Sequence, residues 1–188
     1  MADDYAATAT AYDLFATTTR PRQTAALAEL LPLLRPEVGP ILDVGAGSGA
    51  HAALVLDRLT EAQVLALEPS RAMRSLTLSR FAEHPDWFTR ITVRPEDFFT
   101  ATLPPHLGGA ILLGVIGHFD PGERAAVLAE LAARLPADGA ALLDLQAPER
   151  PQRIAAYEFT AAHLGELSYR GIAEARPVDA ELMRWRMT

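Results

Sequence analysis

Cysteine is absent from the 188 residues, which excludes disulfide bonds and thiolate metal sites and agrees with a reducing, cytoplasmic setting. No apolar run approaches the roughly 20 residues that a helix needs to cross a bilayer, so no membrane partner is expected. The opening stretch MADDYAATATAYD is acidic where a secretory leader would be basic. Basic residues are outnumbered, 17 against 24 acidic ones, for a formal charge of −7 and a pI near 5.2. Nucleic-acid binders carry a basic face, so no nucleic acid is expected and a small molecule is the better partner. Internal repeats are absent, and the only compositional bias is a richness in alanine. His51, His84, His106, His118 and His163 share no metal-ligand spacing, so no metal is expected.

What is present is an ordinary globular composition, 49% hydrophobic and 22% charged, read as one domain over 1–188. Short apolar runs alternate with amphipathic stretches. Thr18-Thr19-Arg20-Pro21 has the hydroxyl and first-turn proline of a helix start, with Leu27, Leu30, Leu31 and Leu34 following at helical spacing. Ile41-Leu42-Asp43-Val44 reads as a buried strand, and Ala53, Leu56 and Leu59 mark the helix after it. Val64 to Leu67 is a second strand, and Ser70 caps a helix through Met73, Leu76 and Phe81. Ile91-Thr92-Val93 and Ala110 to Leu113 supply two more strands. Asp120-Pro121-Gly122-Glu123 has the pattern of a capping box, and Leu128, Leu131 and Leu135 are the expected buried stripe. Asp138-Gly139 then turns the chain into a fifth strand over 140–145.

This alternation predicts an α/β fold, a Rossmann-like, doubly wound, mostly parallel sheet with helices on both faces. After Pro148 the period changes: Met183, Trp185 and Met187 alternate with Arg184, Arg186 and Thr188. Residues 157–188 are therefore expected to form an antiparallel strand segment, turning near Gly171 and near Pro177-Val178-Asp179. The chain divides into a cover segment over 1–20, a core over 21–147 and this extension.

The stretch Ile41 to Ala50, ILDVGAGSGA, organises the rest. Gly45, Gly47 and Gly49 let the backbone turn sharply and approach a ligand, and the helix beginning near Ala50 points its N–H groups back toward it. Gly45, Gly47 and Ala50 satisfy the dinucleotide fingerprint G-x-G-x-x-G/A, which would make the chain an NAD(P)-dependent oxidoreductase. That reading leaves Gly49 and Asp43 without a role and sets a carboxylate against a dianionic pyrophosphate. An acid there suits a ligand that brings positive charge or hydrogen-bond donors.

Asp-x-Gly-x-Gly-x-Gly at 43–49, after an apolar strand, resembles motif I of the class I S-adenosylmethionine-dependent methyltransferases of the small-molecule type. The resemblance spans roughly residues 10–146 and implies S-adenosyl-L-methionine held at Asp43, Gly45, Ala46, Gly47 and Gly49. It implies that Glu68 accepts both ribose hydroxyls, with Pro69 and Met73 beside the nucleoside. Asp97 and Phe98, with Glu96 next to them, would hold the adenine. The run from Gly114 to Phe119 would face the methionine moiety and the acceptor, and Tyr12, paired with Asp13, would cover the cofactor. His118 would be the general base, since its ordinary pKa suits proton transfer near neutrality; the competing reading packs it above the adenosine.

The resemblance also implies a seven-stranded sheet ending in an antiparallel pair after a fifth helix. The sequence supplies five core strands, no such helix, and the meander over 157–188. That meander replaces the pair, is an insertion, or pairs with a second copy in a homodimer. Methyl transfer from a sulfonium uses an already activated leaving group, so the protein must chiefly align the reactants and exclude water. The Asn/Asp-Pro-Pro-Tyr sequence of relatives that methylate nucleic-acid and protein amines is missing; Gly114-Val115-Ile116-Gly117 stands there. With the net acidity, this implies a small organic acceptor with an oxygen or nitrogen nucleophile. A non-catalytic cofactor-binding or assembly protein is the third reading, carried by the short core.

Overall fold

The first five apolar runs pair as one parallel sheet. A computed structural model describes every residue except 1, 2, 4, 146, 147 and 149. The strands are β1 (Ile41–Val44), β2 (Val64–Leu67), β3 (Ile91–Arg94), β4 (Gly109–Leu112) and β5 (Ala141–Leu143), in the order β3-β2-β1-β4-β5. Ile41 stands opposite both Val64 and Gly109, so β1 is central and all four of its residues are buried. The helices are α1 (Tyr12–Phe15), α2 (Arg20–Leu30), α3 (Ala50–Arg58), α4 (Arg71–Ala82) and α5 (Pro121–Arg134).

The two-residue period of the strands divides the core into two layers. Ile41, Val64 and Ile111 pack with Leu27, Leu30, Val55, Leu56 and Phe81. Leu42, Leu65 and Leu112 pack with Leu107, Val127 and Leu131 on the other side of the sheet. Each such side chain contributes about 2 kcal/mol by leaving water. The doubly wound arrangement expected from the alternation is therefore present, with α5 and the irregular stretch 98–107 covering one face.

Local expectations fare unevenly. The Asp120 box forms: its carboxylate accepts from the Glu123 amide at 2.8 Å, and Glu123 accepts from the Asp120 amide at 2.9 Å. In the stripe of α5, Leu131 is buried and Leu135 packs against the core as expected, but Val127 is fully buried in place of Leu128, which is 50% exposed. Thr18 and Thr19 do not cap α2. Their hydroxyls donate back to the carbonyls of Phe15 and Ala16, prolonging the preceding helical turns. Ser70 does cap α4, accepting from the Met73 amide at 3.1 Å.

The C-terminal segment is a separate antiparallel sheet of β6 (Ile154–Leu164), β7 (Leu167–Pro177) and β8 (Met183–Met187). It begins at Ile154, three residues before the expected 157. The first turn falls at Gly165, whose φ is +59°, not at Gly171. Gly171 lies within β7 opposite Thr160, where an added Cβ would come 2.5 Å from Cζ of Phe159; the glycine admits an aromatic ring and does not bend the chain. The second turn is where it was expected, with Asp179 accepting from the amides of Glu181 and Leu182 at 2.8 Å. Pairing places Leu164, Leu167, Tyr169, Trp185 and Met187 on one face, and the ion pairs Glu158–Arg170 and Glu174–Arg186 on the other. Phe159 meets Phe15 edge-on at 5.7 Å, joining this sheet to α1.

All 17 basic side chains are arginines, and several clamp backbone carbonyls. Arg74 holds those of Glu68 and Pro69, Arg90 those of Leu56 and Leu59, and Arg134 that of Pro104. Among the described residues no helix is long and apolar enough to cross a membrane.

Candidate cofactor site

Gly45, Gly47 and Gly49 take φ values of +64°, +61° and +75°, a left-handed path that L side chains resist. The loop carries the chain from the end of β1 into α3. Ala46, buried at its centre, donates its amide to the Leu67 carbonyl at 3.0 Å and so ties the loop to β2. An added Cβ on Gly47 would lie 3.2 Å from the Tyr12 hydroxyl and 3.7 Å from Cε of Met73, so these two side chains crowd the loop from above.

Glu68, just past β2, closes the loop from the side. One carboxylate oxygen accepts from the Gly47 amide at 2.7 Å and the other from the Ser70 amide at 2.8 Å. Burial raises the Glu68 pKa, and those two amides oppose the rise. Asp43 is 1% exposed, and its carboxyl is pushed up to about 7 by burial and then by the neighbouring Glu68 charge, with the Ala52 amide opposing. Two buried acids thus flank one glycine loop. That arrangement resists a further anion and favours a cation or a set of donors.

The remaining residues singled out in the sequence are placed less uniformly. Pro69 follows Glu68, its carbonyl held by Arg74 at 2.8 Å. Glu96 lies just beyond β3, with one carboxylate oxygen buried and unpaired. Asp97 caps its own turn by accepting from the amides of Phe99 and Thr100, and Phe98 is buried in the layer that contains Leu42 and Leu112. Gly114, at the end of β4, has a φ of +73° and donates its amide to Asp144 at 2.6 Å. His118 ends a short 3-10 turn, and its Nε2 is 2.8 Å from the Tyr5 hydroxyl.

Asp13, expected beside Tyr12, proves central together with several residues that the sequence reading did not assign. Asp13 joins three groups: one oxygen accepts from the Ser48 hydroxyl and from Arg20, the other from Arg80, each at 2.6 Å. Arg80 also donates to the Ser48 carbonyl at 2.8 Å, bolting the N-terminal segment to the glycine loop. Burial raises the Asp13 pKa, but the Ser48 and Arg20 bonds and the two guanidinium charges bring it below its usual value. Asp3 accepts from the Ser70 hydroxyl and the Ala72 amide at the start of α4. Asp144 closes β5 as Glu68 closes β2, and that strand-end position was a legible signal. Arg80 carried none.

Among the described residues three buried side-chain polar atoms lack a partner: Asp43 Oδ2, His51 Nε2 and Glu96 Oε2. They stand on β1, on the first turn of α3 and just past β3, around the carboxyl edge of one sheet. Leaving such an atom unpaired costs about 1–3 kcal/mol. The strand order reverses between β1 and β4, the place where open α/β sheets bind ligands.

Residues 41–139 match the methyltransferase-domain family, which is more than half of the 188 residues, and the chain belongs to that family. The resemblance carried by Asp43 to Gly49 pointed to the same assignment. No curated relative matches the sequence. Among solved structures, DesVI of Streptomyces venezuelae superposes with a TM-score of 0.69 at 18% identity, over 96% of this chain and 80% of that one. CalS10 of Micromonospora echinaspora, an amino pentose methyltransferase involved in calicheamicin biosynthesis and solved with S-adenosylmethionine, gives 0.63 at 20% identity, over 89% and 73%. The sugar N-methyltransferase KedS8 of Streptoalloteichus gives 0.56 at 20% identity, over 94% and 76%. At these identities the likeness is one of fold.

Proposed function

We propose that the chain transfers a methyl group from S-adenosyl-L-methionine to a small organic acceptor. The observation that carries this reading is the set of three buried polar atoms without a partner among the described residues, at the carboxyl edge of the sheet whose glycine loop is closed by Glu68. Two of the three are carboxylate oxygens, which call for donors or positive charge. The bound cofactor would supply a methyl group activated on a sulfonium.

The chain's own residues then bind, orient and shield. Each Glu68 oxygen has accepted one amide and retains a lone pair for a ribose hydroxyl. Asp43 and Glu68 hold negative potential at the loop, which a cationic ligand relieves and a pyrophosphate worsens, so the nicotinamide reading is disfavoured. Glu96 offers a buried oxygen on the β3 side, and Tyr12 covers Gly47 against water. His118 Nε2 already meets one hydroxyl, that of Tyr5, at the distance a proton transfer from an acceptor hydroxyl requires. The shared fold with CalS10 and KedS8, named for amino pentose and sugar amine methylation, favours a sugar amine among small acceptors. Such an acceptor needs alignment more than a strong base.

Leu164, Leu167 and Met187, each more than half exposed at the margins of one face of the β6–β8 sheet whose middle is buried at Ala173 and Ala175, support a second copy as partner. Light scattering on the wild type and on Leu167→Asp would show a dimer lost to the substitution; a monomeric wild type would refute it. The proposed setting is the cytoplasm, with which the cysteine-free composition agrees.

Calorimetric titration with S-adenosylmethionine, S-adenosylhomocysteine and NAD tests the cofactor. Binding of the first two, abolished by Asp43→Ala, is expected. Tight NAD binding with no response to the sulfonium ligand would overturn the reading. Cofactor binding without turnover across amines and hydroxyls would favour an assembly role.

A further inference from the structure

Helix α4 meets the glycine loop with two polar side chains one turn apart, and each grips a backbone carbonyl of the loop. The Thr77 hydroxyl donates to the Gly47 carbonyl at 2.6 Å, and Arg80 donates to the Ser48 carbonyl at 2.8 Å. Thr77 is fully buried, so its hydroxyl has to find a partner inside the protein. A threonine within a helix can turn to the carbonyl four residues back. Here that carbonyl, of Met73, lies at 3.2 Å, and the one hydroxyl proton has the shorter path to Gly47.

The rest of the Thr77 side chain faces the same loop. A Cβ added to Gly49 would come 2.9 Å from the Thr77 methyl carbon, so that methyl occupies the room the glycine leaves. Gly47 donates its own amide to Glu68 at 2.7 Å. It is therefore held at its N–H from the end of β2 and at its carbonyl from α4, with a φ of +61°. The peptide that joins Gly47 to Ser48 is planar and trans, so a carbonyl fixed on Thr77 turns the Ser48 N–H the opposite way, away from α4.

We propose that Thr77 is a positioning residue for the cofactor: its hydroxyl locks the Gly47–Ser48 peptide in one orientation, so that the loop meets the ligand already set. This assignment rests on the cofactor reading above and gives Thr77 no contact with the ligand. Without the bond, the conformational freedom of glycine opens other orientations of that peptide. Binding then selects one of them, and apparent affinity falls by the fraction of chains in the competent state.

The test separates the hydroxyl from the methyl. Thr77→Val keeps the branched shape and loses the bond. Thr77→Ser keeps the bond and loses the methyl, and Thr77→Ala differs from Thr77→Ser by the hydroxyl alone. Calorimetry with S-adenosylhomocysteine, on variants shown to be folded by chemical denaturation, should give about ten-fold weaker binding for the valine and alanine variants and the serine variant within about two-fold of wild type. Relaxation dispersion on the ligand-free chain should show exchange at the Ser48 amide in the valine and alanine variants and none in wild type or the serine variant. If the valine variant does not fold, the serine and alanine pair decides. Unchanged affinity in the valine variant overturns the proposal, as do equal losses for serine and alanine, which would assign the effect to packing. Weaker binding with a Ser48 amide as still as in wild type overturns it too. A wild-type chain that binds no S-adenosylhomocysteine removes the cofactor reading and the proposal together, whereas the other outcomes leave the cofactor standing.

Discussion

Asp43 is a buried acid with no basic partner among the described residues, and burial and then the Glu68 charge push its carboxyl up to about 7. The folded pKa lies above the ordinary 3.8, so Asp43 favours folding most below about 3.8, and that advantage is lost as pH rises through about 7. Asp43→Asn should therefore be more stable than the wild type at pH 8, by up to about 4 kcal/mol, with the difference vanishing near pH 4. Urea unfolding at pH 4, 6 and 8 would measure it; a constant difference across that range would mean that the carboxyl is not protonated in the fold. Asp43 and Glu68 were legible because an acid ending a buried strand has little structural reason to be there. Asp144 offered the same signal and was passed over. His51 was not legible at all, since its burial and its unpaired nitrogen arise only when α2 and β5 arrive beside α3.

The clearest elements were those whose termini are written in side chains. The α5 box predicts that Asp120→Ala costs about 1 kcal/mol, measurable as a lower midpoint in chemical denaturation. The same box did not reveal which face of α5 turns inward, because Val127 and Leu128 are adjacent and both apolar, and only the packing against Leu131 and Leu42 selects Val127. Glycine was the ambiguous residue in the C-terminal strands. Gly165 bends the chain and Gly171 admits the Phe159 ring, and a sequence shows both as the same letter. Gly171→Ala should cost about 1–3 kcal/mol through overpacking. Hydrogen exchange would show faster exchange in β6 and β7 with the parallel sheet unchanged; undiminished protection in β6 would refute the close contact.

At the scale of the molecule, the parallel order of five strands followed from the alternation of apolar runs and helices. The docking of the C-terminal sheet on α1 did not, because it involves an edge-on contact between Phe15 and Phe159, residues brought together only by the finished fold. Phe159→Ala should loosen the C-terminal sheet from α1, seen as faster proteolysis within 150–188 while the core from 41 to 143 stays protected. The arginine clamps have a consequence for the molecule as a titrating object. With every basic side chain a guanidinium, positive charge on Arg20, Arg74, Arg80, Arg90 and Arg134 is invariant from about pH 4 to 9. Across that window the side chains exchange protons only through carboxyl and imidazole groups. A potentiometric curve of this protein would therefore record carboxyl and imidazole protons against a fixed cationic frame, without any lysine to obscure its alkaline limb.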